Sequence, residues 1–123
     1  MDKWQAQHDF WSSFKVSAYE EHSVPDDKRN EYPRITYEAA TSVFESLVSI
    51  TASIWTRSTS WKTADELANT IERYIKTMGC PEIDGGRYRV YIGDTTFAQK
   101  MDDPNDDQIK RIILNVTFEF MTT

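Results

Sequence analysis

The chain has little with which to build covalent or metal chemistry. Its 123 residues include one cysteine, Cys80, and two histidines, His8 and His22. A solitary cysteine closes no intrachain disulfide, and between Gly79 and Pro81 it reads as a small structural hydrophobe. The histidines lie far apart without a cysteine or an HxxxH partner, so both read as surface or packing residues. No Gly-x-Ser-x-Gly elbow surrounds any serine, and the Gly85-Gly86 pair is too short to cradle a phosphate. No enzymatic activity, metal or cofactor is expected.

Long apolar runs are also missing. None approaches the ~20 residues of a membrane span, and MDKWQAQHDFW has neither the basic start nor the apolar centre of a signal peptide. A membrane role is not expected, and the cytoplasm is the expected place of synthesis. Basic charge is scarce: 14 Lys and Arg stand against 20 Asp and Glu, a formal charge of -6. That balance disfavours a ligand gripped through many phosphates, whether nucleic acid or anionic lipid. Trp55, Trp61, Tyr88 and Tyr91 have faces on which bases stack, but such sites normally come with a basic groove. Core packing or a protein interface is the better reading of them.

The length is that of a single domain spanning residues 1–123, with one core between two layers. From Lys3 to about Glu20, Trp4, Phe10, Trp11, Phe14, Ala18 and Tyr19 return at helical spacing and predict a first helix. Glu21 to Pro33, with two prolines and a polar run, predicts a loop. Ile35, Tyr37 and Ala39 alternate with Arg34, Thr36 and Glu38, predicting a strand joined by the short link Ala40 to Val43 to a longer one. In that longer strand Phe44, Val48, Ile50, Ala52 and Ile54 share one parity, against Glu45, Ser49, Thr51, Ser53 and Arg57 on the other.

Past the hydroxyls Ser58, Thr59 and Ser60 the period changes. Trp61, Ala64, Leu67, Ala68, Ile71, Tyr74, Ile75 and Met78 form one helical stripe that Gly79 and Pro81 end, with Thr63 and Glu66 as a possible capping box. Asp84-Gly85-Gly86 predicts a turn into a strand carrying Tyr88, Val90 and Ile92. The last strand aligns Ile112, Leu114, Val116, Phe118 and Phe120. The expected fold is therefore α+β in two layers: a mainly antiparallel four-stranded sheet in the order αββαββ, packed on one face by two helices. Its other face, rich in Ser, Thr, Arg and Glu, is expected to meet water or a partner.

Two features of the later chain ask for an explanation. The acidic run Asp102-Asp103-Pro104-Asn105-Asp106-Asp107 fails as an EF-hand, because Gln108 stands where glycine is needed and Leu114 where the closing carboxylate should be. A turn capped by Asp side chains is the better reading. Gly93 to Asp107 is also long for a link between two strands, where 2–5 residues is usual. Phe97 and Met101 lie four apart, which predicts a short helical turn exposing an apolar ridge flanked by Asp102, Asp103, Asp106 and Asp107. Such an anchor suits a subunit interface in which Arg34, Arg57 or Arg111 of a neighbour pairs with the acids, with Trp55 among the contacts. The competing reading folds Phe97 back onto its own sheet.

Three segments together resemble the tail terminator, or tail completion, proteins of long-tailed bacteriophages and prophages of Gram-positive hosts. They are Ser23-Val24-Pro25-Asp26 with Tyr32-Pro33-Arg34-Ile35-Thr36-Tyr37; Ile54-Trp55-Thr56-Arg57-Ser58-Thr59-Ser60-Trp61; and Phe97 to Asp107 leading into Arg111-Ile112-Ile113-Leu114-Asn115. The resemblance covers nearly the whole chain after the first helix. It implies a non-enzymatic virion protein, assembled in the host cytoplasm, that forms a homo-oligomeric ring, a hexamer, on the head-proximal end of the tail. Its implied partners are the major tail tube protein and a head–tail connector, with DNA passing through the ring without specific binding. Two other readings stay open: a neighbouring connector or neck protein of the same virion, and a cytosolic small-ligand-binding module with a polar pocket. A hydrolase using the acidic loop is the weakest alternative.

Overall fold

The computed structural model describes residues 3–38, 47–83, 85–93 and 96–122. In chain order the elements are α1 (Lys3–Ser12), β1 (Ser17–Glu20), a 3-10 turn (Asp26–Lys28), β2 (Arg34–Tyr37), β3 (Leu47–Arg57), α2 (Lys62–Thr77), β4 (Glu82–Ile83), β5 (Gly86–Tyr91), β6 (Ala98–Asp102) and β7 (Ile109–Thr122). The expected four-stranded, mainly antiparallel αββαββ sheet is thus replaced, among the described residues, by a curled, mixed half-barrel of seven strands with two helices. Its order is β1-β2-β3-β7-β5-β4, with β6 also pairing to β7. The link from Ala40 to Val43, and Ala39, Phe44, Glu45 and Asp84, lie outside the described residues.

The first helix is shorter than its apolar spacing predicts. Ala6, Gln7, Phe10 and Trp11 are its buried residues, and it ends at Ser12. Ser13 then returns both its backbone N–H and its hydroxyl to the Phe10 carbonyl, and Lys15 takes a positive φ of 64°. No continuous helix can pass through that backbone. Ala18 and Tyr19, which extend the helical stripe in sequence, instead lie on β1, paired parallel to β2 opposite Ile35 and Thr36. The pairing partner lies outside any local sequence window, so local periodicity does not reveal it.

The longest strand, β7, is the axis of the sheet. All of β3 pairs antiparallel with it from Leu47↔Glu119 to Arg57↔Ile109. Its other edge is shared end to end: β6 pairs with residues 110–114 and β5 with residues 117–122, both antiparallel to β7. β5 and β6 therefore run the same way, as one strand interrupted opposite Asn115 and Val116. Asn115 holds the interruption in place, its backbone N–H donating to the Phe97 carbonyl at 2.8 Å and its side-chain Nδ2 to the Thr96 carbonyl at 2.9 Å. The expected helical turn carrying Phe97 and Met101 is absent: residues 98–102 are extended.

Both helices pack against the apolar face of the sheet. Phe10 of α1 meets Phe118 and Tyr74 edge-on or tilted, with ring centroids 5.5 and 5.9 Å away, and Trp11 stacks on Tyr37 at 6.4 Å. Ile54, Ile71, Leu114 and Phe118 are fully buried together, whereas Leu67 sits half-buried at the margin of this core. α2 begins without a side-chain cap on Trp61, and Thr63 and Glu66 lie inside it rather than at its start. Ser60 Oγ accepts the Lys62 N–H at 3.1 Å, so a hydroxyl just ahead of the helix serves its first turn. At the other end Met78 turns extended while its N–H still reaches the Tyr74 carbonyl, closing the last turn before Gly79.

Candidate functional site

The opposite face of the sheet, expected to meet water or a partner, is partly buried within the chain itself. All four residues of β2 are buried, including Arg34 and Thr36, and Ser53 of β3 is buried too. Strand register explains this. Arg34 pairs with Trp55, Trp55 with Arg111, and Arg111 with Met101, so one residue from each of β2, β3, β7 and β6 forms a single row across the sheet. Four candidates separated widely in sequence become neighbours.

Within the row, cations and aromatic faces alternate. The Arg34 guanidinium lies 5.0 Å from the Tyr32 ring centre and 5.1 Å from that of Trp55, and Arg111 covers Trp55 at 4.7 Å. Each such contact is worth roughly 0.5–1 kcal/mol at an exposed site and more when desolvated. The adjoining Thr36↔Ser53 pair supplies hydroxyls beneath the stack: Trp55 Nε1 donates to Thr36 Oγ1 at 2.9 Å, and Arg111 Nε to Ser53 Oγ at 3.0 Å. The Thr36 and Ser53 hydroxyls are thereby occupied, whereas Arg34 Nε is left without a hydrogen-bond partner among the described residues.

Trp55 divides two concavities. On the Arg34 side a groove of about 520 Å³ is lined by Glu21, His22, Val24, Arg29, Arg34, Thr36 and Trp55, with the first four supplied by the loop between β1 and β2. On the Arg111 side a smaller hollow of about 150 Å³ is lined by Trp55, Met101, Asp102, Asp103, Pro104 and Arg111. Exposed ion pairs brace the loop, Arg29 to Asp26 at 3.2 Å and Lys28 to Glu31 at 3.4 Å. Burial works to raise the Glu20 pKa, but hydrogen bonds from the His22 side chain and backbone prevail and hold it below the usual carboxylate range; the same contact raises His22.

The acidic segment is the turn of the β6–β7 hairpin. Asp103 Oδ1 accepts the Asn105 N–H at 2.8 Å and Asp106 Oδ1 accepts the Gln108 N–H at 2.9 Å, two local Asx bonds that shape the tip. Asp106 also pairs with Arg57 at 2.9 Å, and Gln108 accepts a bond from the Ser58 N–H, tying the tip to the end of β3. Asp102 and Asp107 are exposed and form no ion pair among the described residues. Phe97 leaves the set: it is 8% exposed and belongs to the core, whereas Met101 is 43% exposed. The structure thus brings together Arg34, Trp55, Arg111 and Met101, sets Asp102 and Asp103 beside them, pairs Arg57 with Asp106 within one chain, and separates Phe97 from all of these.

Tyr32, Thr36, Ser53 and the groove walls His22, Val24 and Arg29 are additions that spacing alone does not select. A faint signal existed in the shared outward parity of Thr36 and Ser53 with the arginines, but the register that joins them is tertiary. His8 belongs elsewhere: its Nδ1 lies 3.0 Å from the Tyr37 hydroxyl and its Nε2 3.3 Å from Ser12 Oγ. Among the described residues no group of three or more His, Cys, Asp or Glu is placed to hold a metal ion, and no helix is long and apolar enough to cross a membrane.

The class that fold and site define is a small α+β protein whose half-barrel sheet is filled by helices on one face and carries a cation–aromatic row on the other. No protein-family model, curated protein or solved structure matches the chain.

Proposed function

We propose that this protein is a structural component of a long-tailed phage virion. In this reading it closes into a ring, a hexamer, at the head-proximal end of the tail tube, ends tube polymerisation and offers the surface to which the head connector binds. One observation supports the reading most directly. Several charged and aromatic residues of the three resemblance-bearing segments, Arg34, Trp55, Arg57 and Arg111 with the acidic hairpin tip, lie on one outward face and the turn beside it, whereas Tyr37, Trp61, Phe97 and Lys100 lie in the core or on the helix side. A surface that gathers distant segments in this way suits a protein that works by contact. The sheet adds short open edges at β1 and β4, which a ring contact can cover.

The test is genetic and visual. Phage lacking this chain should make tails of uncontrolled length that fail to join heads, seen by electron microscopy, and adding purified protein to growing tubes should stop their elongation. Normal tails on complete virions without it would refute the assignment.

A further inference from the structure

We propose that the groove beside Arg34 seats the acidic β6–β7 hairpin tip of a second copy of this chain. The acceptor is a built site. Arg34 is nine-tenths buried, Nη1 donates to the Glu31 carbonyl at 3.1 Å, and Nε has no hydrogen-bond partner among the described residues. Nε itself is covered, so a docking carboxylate meets the 9% of Arg34 that stays exposed in the groove, and a carboxylate is the best-matched partner of a guanidinium. Arg29, which already pairs with Asp26 of its own loop at 3.2 Å, and Trp55 also line the groove, and Glu21 is the one acid among its lining residues.

The donor is preformed. Asp103 and Asp106 spend their carboxylates on the local turn and on Arg57, which fixes the tip before any partner arrives and lowers the entropy lost on docking. Asp102 and Asp107 remain exposed and without an ion pair among the described residues, available to a neighbour. Within one chain the tip adjoins Trp55 from the Arg111 side while the groove opens on the Arg34 side, so Trp55 stands between them and the contact joins two molecules. Of the three arginines that could meet a neighbour's acids, Arg57 is taken by Asp106, and Arg34 and Arg111 both stack on Trp55 and hold one hydrogen bond each; Arg34 is the one that lines the larger groove. Tip into groove is a head-to-tail contact, which closes into a ring where its rotation permits.

The inference deepens the ring reading and rests on it for closure, not for the pairwise contact. A charge exchange tests it by sedimentation velocity over a concentration series. Reversing the exposed tip with Asp102→Lys and Asp107→Lys should weaken self-association at least tenfold with the fold intact. The groove change Arg29→Glu with Arg34→Gln should do the same, with circular dichroism to check folding; if Arg34→Gln unfolds the chain, Arg29→Glu alone serves. An equimolar mixture of the tip and groove variants should recover association, because the Lys tip then meets the Glu groove and the native tip meets the native groove. A wild-type chain that stays monomeric throughout, or a tip variant that associates as tightly as wild type, overturns the proposal. So does a monomeric wild type whose groove instead binds inorganic phosphate or succinate in a thermal-shift titration. If the tip variant still forms rings on tail tubes, this contact falls and the ring reading stands. If the contact is real but phage lacking the chain complete normal tails, the contact stands and the terminator reading falls.

Discussion

Two pairs of residues make the residue-scale chemistry testable. Phe97 and Met101 look equivalent in sequence, yet one is in the core and the other on the outward row. Phe97→Ala should cost about 3–5 kcal/mol, whereas Met101→Ser should stay within about 0.5 kcal/mol, as read from urea midpoints. Equal costs would contradict these placements. Tyr37 and Tyr88 form the second pair. Burial, with the charges of Glu20 and Asp9 adding, pushes the Tyr37 hydroxyl up to about 12, and burial with Tyr74 and Asp9 does the same for Tyr88. Both folded values lie above the unfolded value of about 10, so unfolding releases protons in alkali. Their contribution to stability is whole below about pH 10 and is lost as pH rises through about 12, at up to roughly 1.4 kcal/mol per pH unit for each tyrosine. Denaturation followed against pH should show this alkaline decline, and Tyr88→Phe should make it shallower; an unchanged slope would contradict the burial argument.

Among the elements, turns and interruptions decide the path of the chain. Gly85 has a φ of 82° in the hairpin that pairs Ile83 with Gly86, a conformation in which a Cβ is strained. Gly79, past the end of α2, has no atom within 4 Å of an added Cβ and no positive φ. Gly85→Ala should therefore destabilise by about 1–2 kcal/mol, while Gly79→Ala should be neutral or stabilise by up to about 1 kcal/mol. A pair of thermal melts decides this, and the reverse ranking would place the strained turn elsewhere. The apolar pattern of β7 and the stripe of α2 were plain in the sequence because each is long enough to repeat its period several times. The four-residue β1 and five-residue β6 were not, since a run that short fits a helical period as well as a strand one. β6 also lies in a polar stretch, and its order comes from pairing with β7.

At the scale of the whole molecule the formal charge of -6 bears on what can pass or bind. The outward arginines are locally stacked or paired, so they do not form a basic track along which a phosphate backbone could be neutralised. Double-stranded DNA should therefore show no retention in a gel-shift titration at physiological salt, an outcome the proposed ring requires if DNA is to slide through it. A micromolar complex would contradict that expectation. Of the candidate surface, the sequence showed the ingredients, arginines, a tryptophan and an acid-rich turn. It did not show that Arg34, Trp55 and Arg111 stand side by side, or that Arg57 already has a partner in its own chain.

The sequence by itself determined the apolar face of β3 and β7, the stripe of α2, the acidic overall charge and the turn chemistry of the 102–107 segment. Each follows from local spacing or composition, and local spacing is what periodicity can report. Only the tertiary structure decided the number of strands, the parallel docking of β1 on β2, the sharing of one β7 edge by β5 and β6, and the row from Arg34 to Met101. Those features depend on register between distant segments, and register is fixed by which side chains bury one another once the sheet has formed.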